Sequence, residues 1–384
     1  MSLPIVIVGT GLAGYTLVRE LRKLDAARPL VVVSRDHAHF YSKPMLSNAL
    51  AGKKTAATLV MKTADKMAAE LNFTLRANTS VRGIDPATHR IEFDDGSTLA
   101  YGELVLALGA DPVRLPLQGG AAAAVLSVND LGDYERFAEQ LEGVGSVAIL
   151  GGGLIGCEFA NDLLARGITA TVIDIAQWPL SRLLPEAAGN RLRSKLEAAG
   201  VRFRFGAAVR SVGRGGDGAF QLALDDGSVL AADLVLSAIG LRPRTELAAQ
   251  AGIEVNRGIV VNRLLATSAL QVHALGDCAE VAGHTLPYVL PIMQQARALA
   301  ATLVGKPTPV VYPAMPVTVK TPACPTVVCP PPMNAAGAWS VSLSEDACDA
   351  RFHSPEGVLL GFALLGAATS QRQALAATVP GLLA

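Results

Sequence analysis

Four branched aliphatic residues in a row, Ile5-Val6-Ile7-Val8, run into Gly9-Thr10-Gly11-Leu12-Ala13-Gly14, and from Tyr15 to Leu24 apolar residues return at helical spacing. An unbroken apolar run that gives way to a 3.6-residue period predicts a short strand buried on both faces, a glycine turn and a helix. The same order returns 142 residues later. Val147-Ala148-Ile149-Leu150 leads into Gly151-Gly152-Gly153-Leu154-Ile155-Gly156 and then into Cys157 to Arg166, with Gly167 placed to stop the helix. A further strand is predicted after each helix, at Leu30–Val33 and at Thr169–Ile173. The pattern predicts an α/β protein built on two Rossmann-like domains.

Both glycine runs fit the dinucleotide fingerprint GxGxxG. The chemistry needs each glycine: the first makes the tight turn, the second lets the backbone approach a pyrophosphate, and the third lets helix pack on strand. The helix N-terminus then turns unpaired N–H groups toward the phosphates. An acid about 20 residues on is expected to hold a ribose hydroxyl. Asp174 meets this in the second copy, 18 residues beyond Gly156. A carboxylate there accepts from a free 2'-OH and repels a 2'-phosphate, which predicts NAD(H) over NADP(H). Arg182 lies too far along to count as a phosphate clamp. In the first copy the strand is followed by Ser34-Arg35-Asp36, so the acid arrives late, and the ribose contact falls to Asp36 or to Ser34 with backbone groups.

Composition changes the picture in three ways. Of 384 residues, 51% are hydrophobic and 17% charged, which suits two or three packed domains and excludes disorder. The 33 basic and 33 acidic residues balance, so there is no basic excess for nucleic acid. No run approaches the roughly 20 apolar residues of a membrane span: the charge-free stretch Thr321–Ser344 contains five prolines, and the run from Gly357 stops at Arg372. No signal-peptide pattern precedes Ile5, and a cytoplasmic protein is expected. Five cysteines without a CxxC fit a reducing compartment, and Cys324 and Cys329 are read as inert thiols rather than a pair. His37 and His39 lack a third ligand, so no metal is expected, and Trp178 and Trp339 are read as packing residues.

On these motifs the chain resembles the two-dinucleotide flavoproteins, the FAD-dependent pyridine nucleotide-disulfide oxidoreductase superfamily, in which the first fingerprint holds FAD and the second NAD(P)H. Leu104-Val105-Leu106-Ala107-Leu108-Gly109-Ala110 looks like the strand that returns from the FAD domain, with Leu108 where the family usually has Thr. Leu234 to Gly240 with Leu241-Arg242-Pro243 resembles the strand closing the NAD domain, and Ala274-Leu275-Gly276-Asp277 the segment whose Asp contacts the ribityl chain. The active disulfide of the superfamily is missing, because residues 1–156 contain no cysteine. Instead Tyr41-Ser42-Lys43-Pro44-Met45-Leu46-Ser47 resembles the motif of flavin reductases serving small iron–sulfur or rubredoxin carriers. Gly-Cys-Glu-Phe-Ala-Asn-Asp-Leu at 156–163 and Thr318 to Pro325 extend the resemblance to the bacterial rubredoxin-NAD reductases over the whole length.

The resemblance implies an FAD-binding domain of residues 1–112 and 240–315, an NAD-binding domain of 113–239 and a small α+β C-terminal domain of 316–384. It implies nucleotide contacts from Gly9, Thr10, Gly11, Leu12, Ala13, Gly14, Ser34, Arg35, Asp36, Lys43, Pro44, Val81, Ala107, Gly109, Gly276 and Asp277 on the FAD side. On the NAD side it implies Gly151, Gly153, Leu154, Ile155, Gly156, Glu158, Asp174 and Gly240. It further implies hydride transfer from NADH to flavin N5 and release of single electrons to rubredoxin, feeding alkane hydroxylation or oxygen defence. Lys43 is carried over as the lysine beside N5, Glu158 as its ion-pair partner, and Lys320 as a second flavin contact. The competing reading is the ferredoxin reductase of an aromatic-ring dioxygenase; a nucleotide-binding regulator without turnover is more remote.

An acidic carrier calls for a local positive patch. Residues 1–50 hold six cations (Arg19, Arg22, Lys23, Arg28, Arg35, Lys43) against three acids, whereas the stretch from Pro316 holds three cations against four acids. Charge counting therefore favours the first fifty residues as the docking face over the C-terminal stretch, although a solvated helix face accounts for Arg19, Arg22 and Lys23 equally well.

Overall fold

The two apolar runs that precede the glycine turns become the central strands of two separate parallel sheets in the computed structural model, which describes residues 3–383. Ile5–Val8 is flanked by Leu30–Val33 and Glu103–Leu106, with Thr74–Arg76 and Val272–Ala274 at the edges. Ser146–Leu150 is flanked by Thr169–Asp174 and Leu234–Ser237, with Arg202–Phe205 outside. Ile5, Val6, Ile7, Ala148 and Ile149 are wholly buried, so each run is apolar throughout because both of its faces are covered. The helix Leu12–Leu24 buries Tyr15, Leu17, Val18 and Leu21 in one core with Ile292, Ala296 and Leu299 of the helix Val289–Leu303. Each such aliphatic side chain contributes about 1.5–3 kcal/mol.

The repeat runs further than the glycines. Each half also carries a three-stranded antiparallel meander, Val81–Asp85, Arg90–Phe93 and Thr98–Ala100 in the first, and Val209–Arg214, Phe220–Leu224 and Val229–Ala232 in the second. Both meanders turn on the same tetrapeptide, Asp94-Asp95-Gly96-Ser97 and Asp225-Asp226-Gly227-Ser228, with the glycine at φ 78° and 83°. In each, the second Asp accepts the Ser backbone N–H at 2.8 Å, an Asp-Gly hairpin signature.

The chain crosses from one sheet to the other through Ala110–Pro112 and returns through Leu241–Pro243, and these two strands pair antiparallel. Residues beyond Pro316 form a five-stranded antiparallel sheet in the order Val317–Val319, Thr326–Cys329, Leu359–Gly366, Ala347–His353, Ala338–Leu343, followed by the short helix Arg372–Ala376. One face of it, with Val319, Cys324, Val328 and Cys348, joins the core of the second half around Phe159 and Leu192. Among the described residues no helix is long and apolar enough to cross a membrane.

Candidate functional site

Both glycine loops open into one cavity of about 1890 Å³, bounded on a third side by Met315, Pro316, Val317, Thr318 and Lys320 at the start of the C-terminal sheet. Its volume exceeds the roughly 300–1,000 Å³ of an ordinary ligand pocket and suits two large ligands meeting end to end.

The glycines sort into three kinds, identically in each copy. Gly9 and Gly151 have φ of 119° and 106°, and a Cβ on either would lie 2.2 Å and 2.7 Å from the carbonyl oxygens of Ala107 and Ala238. Gly14 and Gly156 sit on the first helical turn, where a Cβ would meet the carbonyl oxygen of Gly9 or Gly151 at 2.0 Å and 1.9 Å. Gly11 and Gly153 differ: their φ values of −66° and −75° suit any residue, and a Cβ would meet no protein atom within 4 Å. Neither strain nor packing against protein explains glycine at these two positions, and the space before them is the cavity. That is the cradle a pyrophosphate occupies at a helix N-terminus.

The acids that follow are held differently. Asp174 ends its strand and takes the Gly152 N–H at 2.5 Å and the Ala176 N–H at 2.8 Å, so it is tied directly to the glycine loop. Asp36 accepts from the Ser34 hydroxyl at 2.7 Å and the Ala38 N–H at 2.9 Å, and Ser34 lies 2.6 Å from the Thr10 hydroxyl. The first loop is thus tied through a relay of hydroxyls, and Ser34, Arg35 and Asp36 all line the cavity.

Between the loops the charged groups meet. Lys43 opens a short 3-10 helix, Lys43–Asn48, with Pro44 at its first turn. Its ammonium donates to Asn129 Oδ1 at 2.7 Å. The pairing of Lys43 with Glu158 expected from the sequence is not formed. Glu158, wholly buried on the helix Leu154–Leu164, instead accepts from the Lys320 ammonium, from the Lys320 backbone N–H at 2.9 Å and from the Ser47 hydroxyl at 2.5 Å. Lys320 leaves the edge strand Val317–Val319 facing this helix, whereas Lys43 reaches across to the segment ahead of the helix Leu131–Gln140. Burial pulls the Lys43 ammonium below the usual lysine range, with Asp277 opposing this and Arg244 adding to it. Burial likewise pushes the Asp277 carboxyl up, against Lys43 and Arg244. Asp277 Oδ1 is buried without a hydrogen-bond partner on the cavity wall, an acceptor placed for a ligand hydroxyl.

One turn after Glu158, Asp162 accepts the backbone N–H groups of Leu50 and Ala51, each at 2.9 Å, and burial pushes its carboxyl up to about 6. Asn161 accepts the Ala323 N–H at 3.1 Å. This helix thus grips the Lys43–Ala51 segment on one side and the C-terminal sheet on the other.

Of the other sequence-predicted residues, Thr10, Leu12, Ala13, Val81, Ala107, Gly109, Leu154, Ile155 and Gly240 line the cavity, whereas Gly14, Gly156 and Gly276 do not. These three shape the walls from behind; a Cβ on Gly276 would lie 2.7 Å from that of Ala13. Arg182 also lines the cavity. Sequence reasoning quoted Ser47 only as the end of a motif and missed Asn129 and the pair Arg244–Asp111, in which Arg244 also donates to the Leu108 carbonyl at 2.7 Å across the crossover strands. Their charged partners, Glu158 for Ser47, Lys43 for Asn129 and Asp111 for Arg244, are each more than 80 residues away in sequence.

Three of the six cations counted in the first fifty residues have partners of their own. Arg19 stacks on Phe40 with its guanidinium 4.1 Å from the ring centre, Arg22 donates to the carbonyls of Leu71, Asp25, Arg28 and Asn72, and Lys23 pairs with Glu20. All five cysteines are unpaired and buried. His37 and His39 use ring nitrogens to accept backbone N–H groups. Trp178 donates to the Leu184 carbonyl and Trp339 packs edge-on against Phe352.

A family model described as pyridine nucleotide-disulphide oxidoreductase matches residues 3–301, and one described as rubredoxin binding C-terminal domain matches residues 309–379. The second match runs against the expectation that the C-terminal stretch is not the docking face. The chain is 50% identical over 380 residues to a rubredoxin-NAD(+) reductase of Alcanivorax borkumensis, covering 99% of each, and 46% identical over 387 residues to one of Acinetobacter baylyi, covering 99% of this chain and 98% of that one. Among solved structures, a ferredoxin reductase from Rhodopseudomonas palustris superposes with TM-score 0.89 at 25% identity, covering 98% of this chain and 95% of that one.

Proposed function

The chain belongs to the pyridine nucleotide-disulphide oxidoreductase family, and on that premise we propose that it passes electrons from NADH through bound FAD to rubredoxin. The observation that carries this reading is the single cavity joining both glycine loops to the edge of a sheet that matches the rubredoxin-binding model.

FAD, when bound, takes up an electron pair and releases electrons one at a time, which a single-iron carrier requires. Gly11 and Gly153 leave room for the two pyrophosphates, and Asp174 and Asp36 offer carboxylates to the riboses. Asp277 offers its unpartnered oxygen to a ribityl hydroxyl. Lys43 supplies positive charge between the two sites, and Glu158 with Lys320 closes the wall on the C-terminal side. No dithiol takes part: Cys157, behind the second loop, is wholly buried, donates to the Gly152 carbonyl and has its thiol pushed far up by burial.

In this reading residues 1–112 and 240–315 hold FAD, 113–239 hold NADH, and 316–384 face the carrier, a division supported by the crossover pairing of Ala110–Pro112 with Leu241–Pro243. A cytoplasmic location is supported by five unpaired cysteines.

The test is steady-state NADH oxidation with purified rubredoxin or ferredoxin as acceptor. A kcat/KM at least tenfold higher for rubredoxin is expected. A preference for ferredoxin would move the assignment to the ferredoxin reductases, which the R. palustris structure represents, and a flavin that NADH does not bleach anaerobically would overturn both.

A further inference from the structure

Two lysines face the cavity, and the structure gives them opposite kinds of partner. Lys320 meets the buried carboxylate of Glu158, so its charge is matched. Lys43 donates, among the described residues, only to the neutral amide oxygen of Asn129. Glu158 is already committed to Lys320 and Ser47 and is not free to neutralise Lys43. The other charged groups acting on Lys43 are the carboxyls of Asp277, Asp130 and Asp111 and the guanidinium of Arg244, which is itself paired to Asp111.

Asn129 is built to hold this geometry. It is 6% exposed, its Nδ2 donates to the Ala110 carbonyl at 3.0 Å, and its backbone N–H donates to Asp133 Oδ2 at 2.9 Å. Because Nδ2 faces a carbonyl, turning the amide over would set oxygen against oxygen, so Oδ1 is fixed toward Lys43. An aspartate at this position would keep the bond to Lys43 and cancel its charge; the amide keeps the bond and leaves the charge.

Resting on the proposed function, in which the flavin ring lies in this cavity, we propose that Asn129 is a positioning residue that holds the Lys43 ammonium beside the flavin without neutralising it, and so raises the flavin's reduction potential. A fixed positive charge in a site screened from water favours the electron-rich form of a ligand.

The holoprotein and its Asn129→Asp, Lys43→Met and doubly substituted forms are equilibrated with NADH-independent reductant and a redox dye, and the ratio of reduced to oxidised flavin is read at a fixed dye potential. Asn129→Asp is expected to lower that ratio about tenfold, roughly 30 mV for a two-electron couple. Lys43→Met is expected to lower it as well, and in the Lys43→Met background Asn129→Asp is expected to change it less than threefold, because the charge it would cancel is gone. A ratio within twofold of the unsubstituted protein for Asn129→Asp overturns the proposal. Should Asn129→Asp not fold, an unchanged ratio in Lys43→Met overturns it equally. Protein that retains no flavin, or flavin that NADH does not reduce, instead overturns the functional reading on which the proposal stands.

Discussion

The two halves of this molecule use the same backbone and different side chains. Gly9, Gly11 and Gly14 repeat in Gly151, Gly153 and Gly156 with close approaches that match position by position. The acids do not match: Asp174 holds its loop directly through the Gly152 N–H, whereas Asp36 reaches its loop through Ser34 and Thr10. Backbone constraints repeat because a strand feeding a helix at close range has one solution. The acid's position depends on how many residues follow the second strand, which that solution does not fix.

The severest test of the shared part is Gly14→Ala beside Gly156→Ala. Each places a methyl at about 2 Å from a carbonyl oxygen, and each should cost about 3 kcal/mol or more in urea unfolding. A large cost in one half and none in the other would break the equivalence.

The next effect concerns the tie between halves. The Asp162 carboxyl, pushed up by burial to about 6 from the usual 3.8, favours the folded state in its protonated form. Its contribution is therefore full below pH 4 and lost as pH rises through 6. The stability difference between the unsubstituted chain and Asp162→Asn should fall by on the order of 3 kcal/mol across that window. Equal pH slopes for the two would remove Asp162 from this role.

Gly11→Ala and Gly153→Ala should leave stability within about 0.5 kcal/mol yet separate the sites. The first should weaken FAD retention, and the second should raise KM for NADH, each by roughly tenfold, or about 1.4 kcal/mol. Smallest is the contrast between acids: Asp174→Asn should raise KM for NADH severalfold, and Asp36→Asn should weaken FAD binding less, since Ser34 and Thr10 still hold the loop. FAD release on dilution and NADH saturation curves read both pairs.

What the sequence makes legible follows the same division. Strands, glycine turns and Asp174 at a strand end depend on neighbours in sequence and stand where periodicity puts them. The paired Asp-Asp-Gly-Ser turns were equally legible, and a search for repeats beyond the fingerprint finds them. The choice of partners was not. Lys43 could be matched with Glu158 by family resemblance, but whether Glu158 meets Lys43 or Lys320 depends on three segments more than 100 residues apart converging on one helical turn. Counting cations overlooks partners for a related reason: Arg22, counted as charge open to a carrier, clamps four carbonyls.

The helical turn that carries Glu158 has a practical consequence for transplanting acceptor specificity between relatives. The last fifth of the chain looks like a module that could be exchanged for another carrier's docking sheet. Yet Glu158 is sealed from water and its cation arrives from that sheet, at Lys320. A chimera whose graft lacks this lysine would strand an anion in the interior at a cost of several kcal/mol. The seam between donor and recipient therefore lies inside the helix rather than in the linker, and a working exchange carries Glu158 and its incoming lysine together.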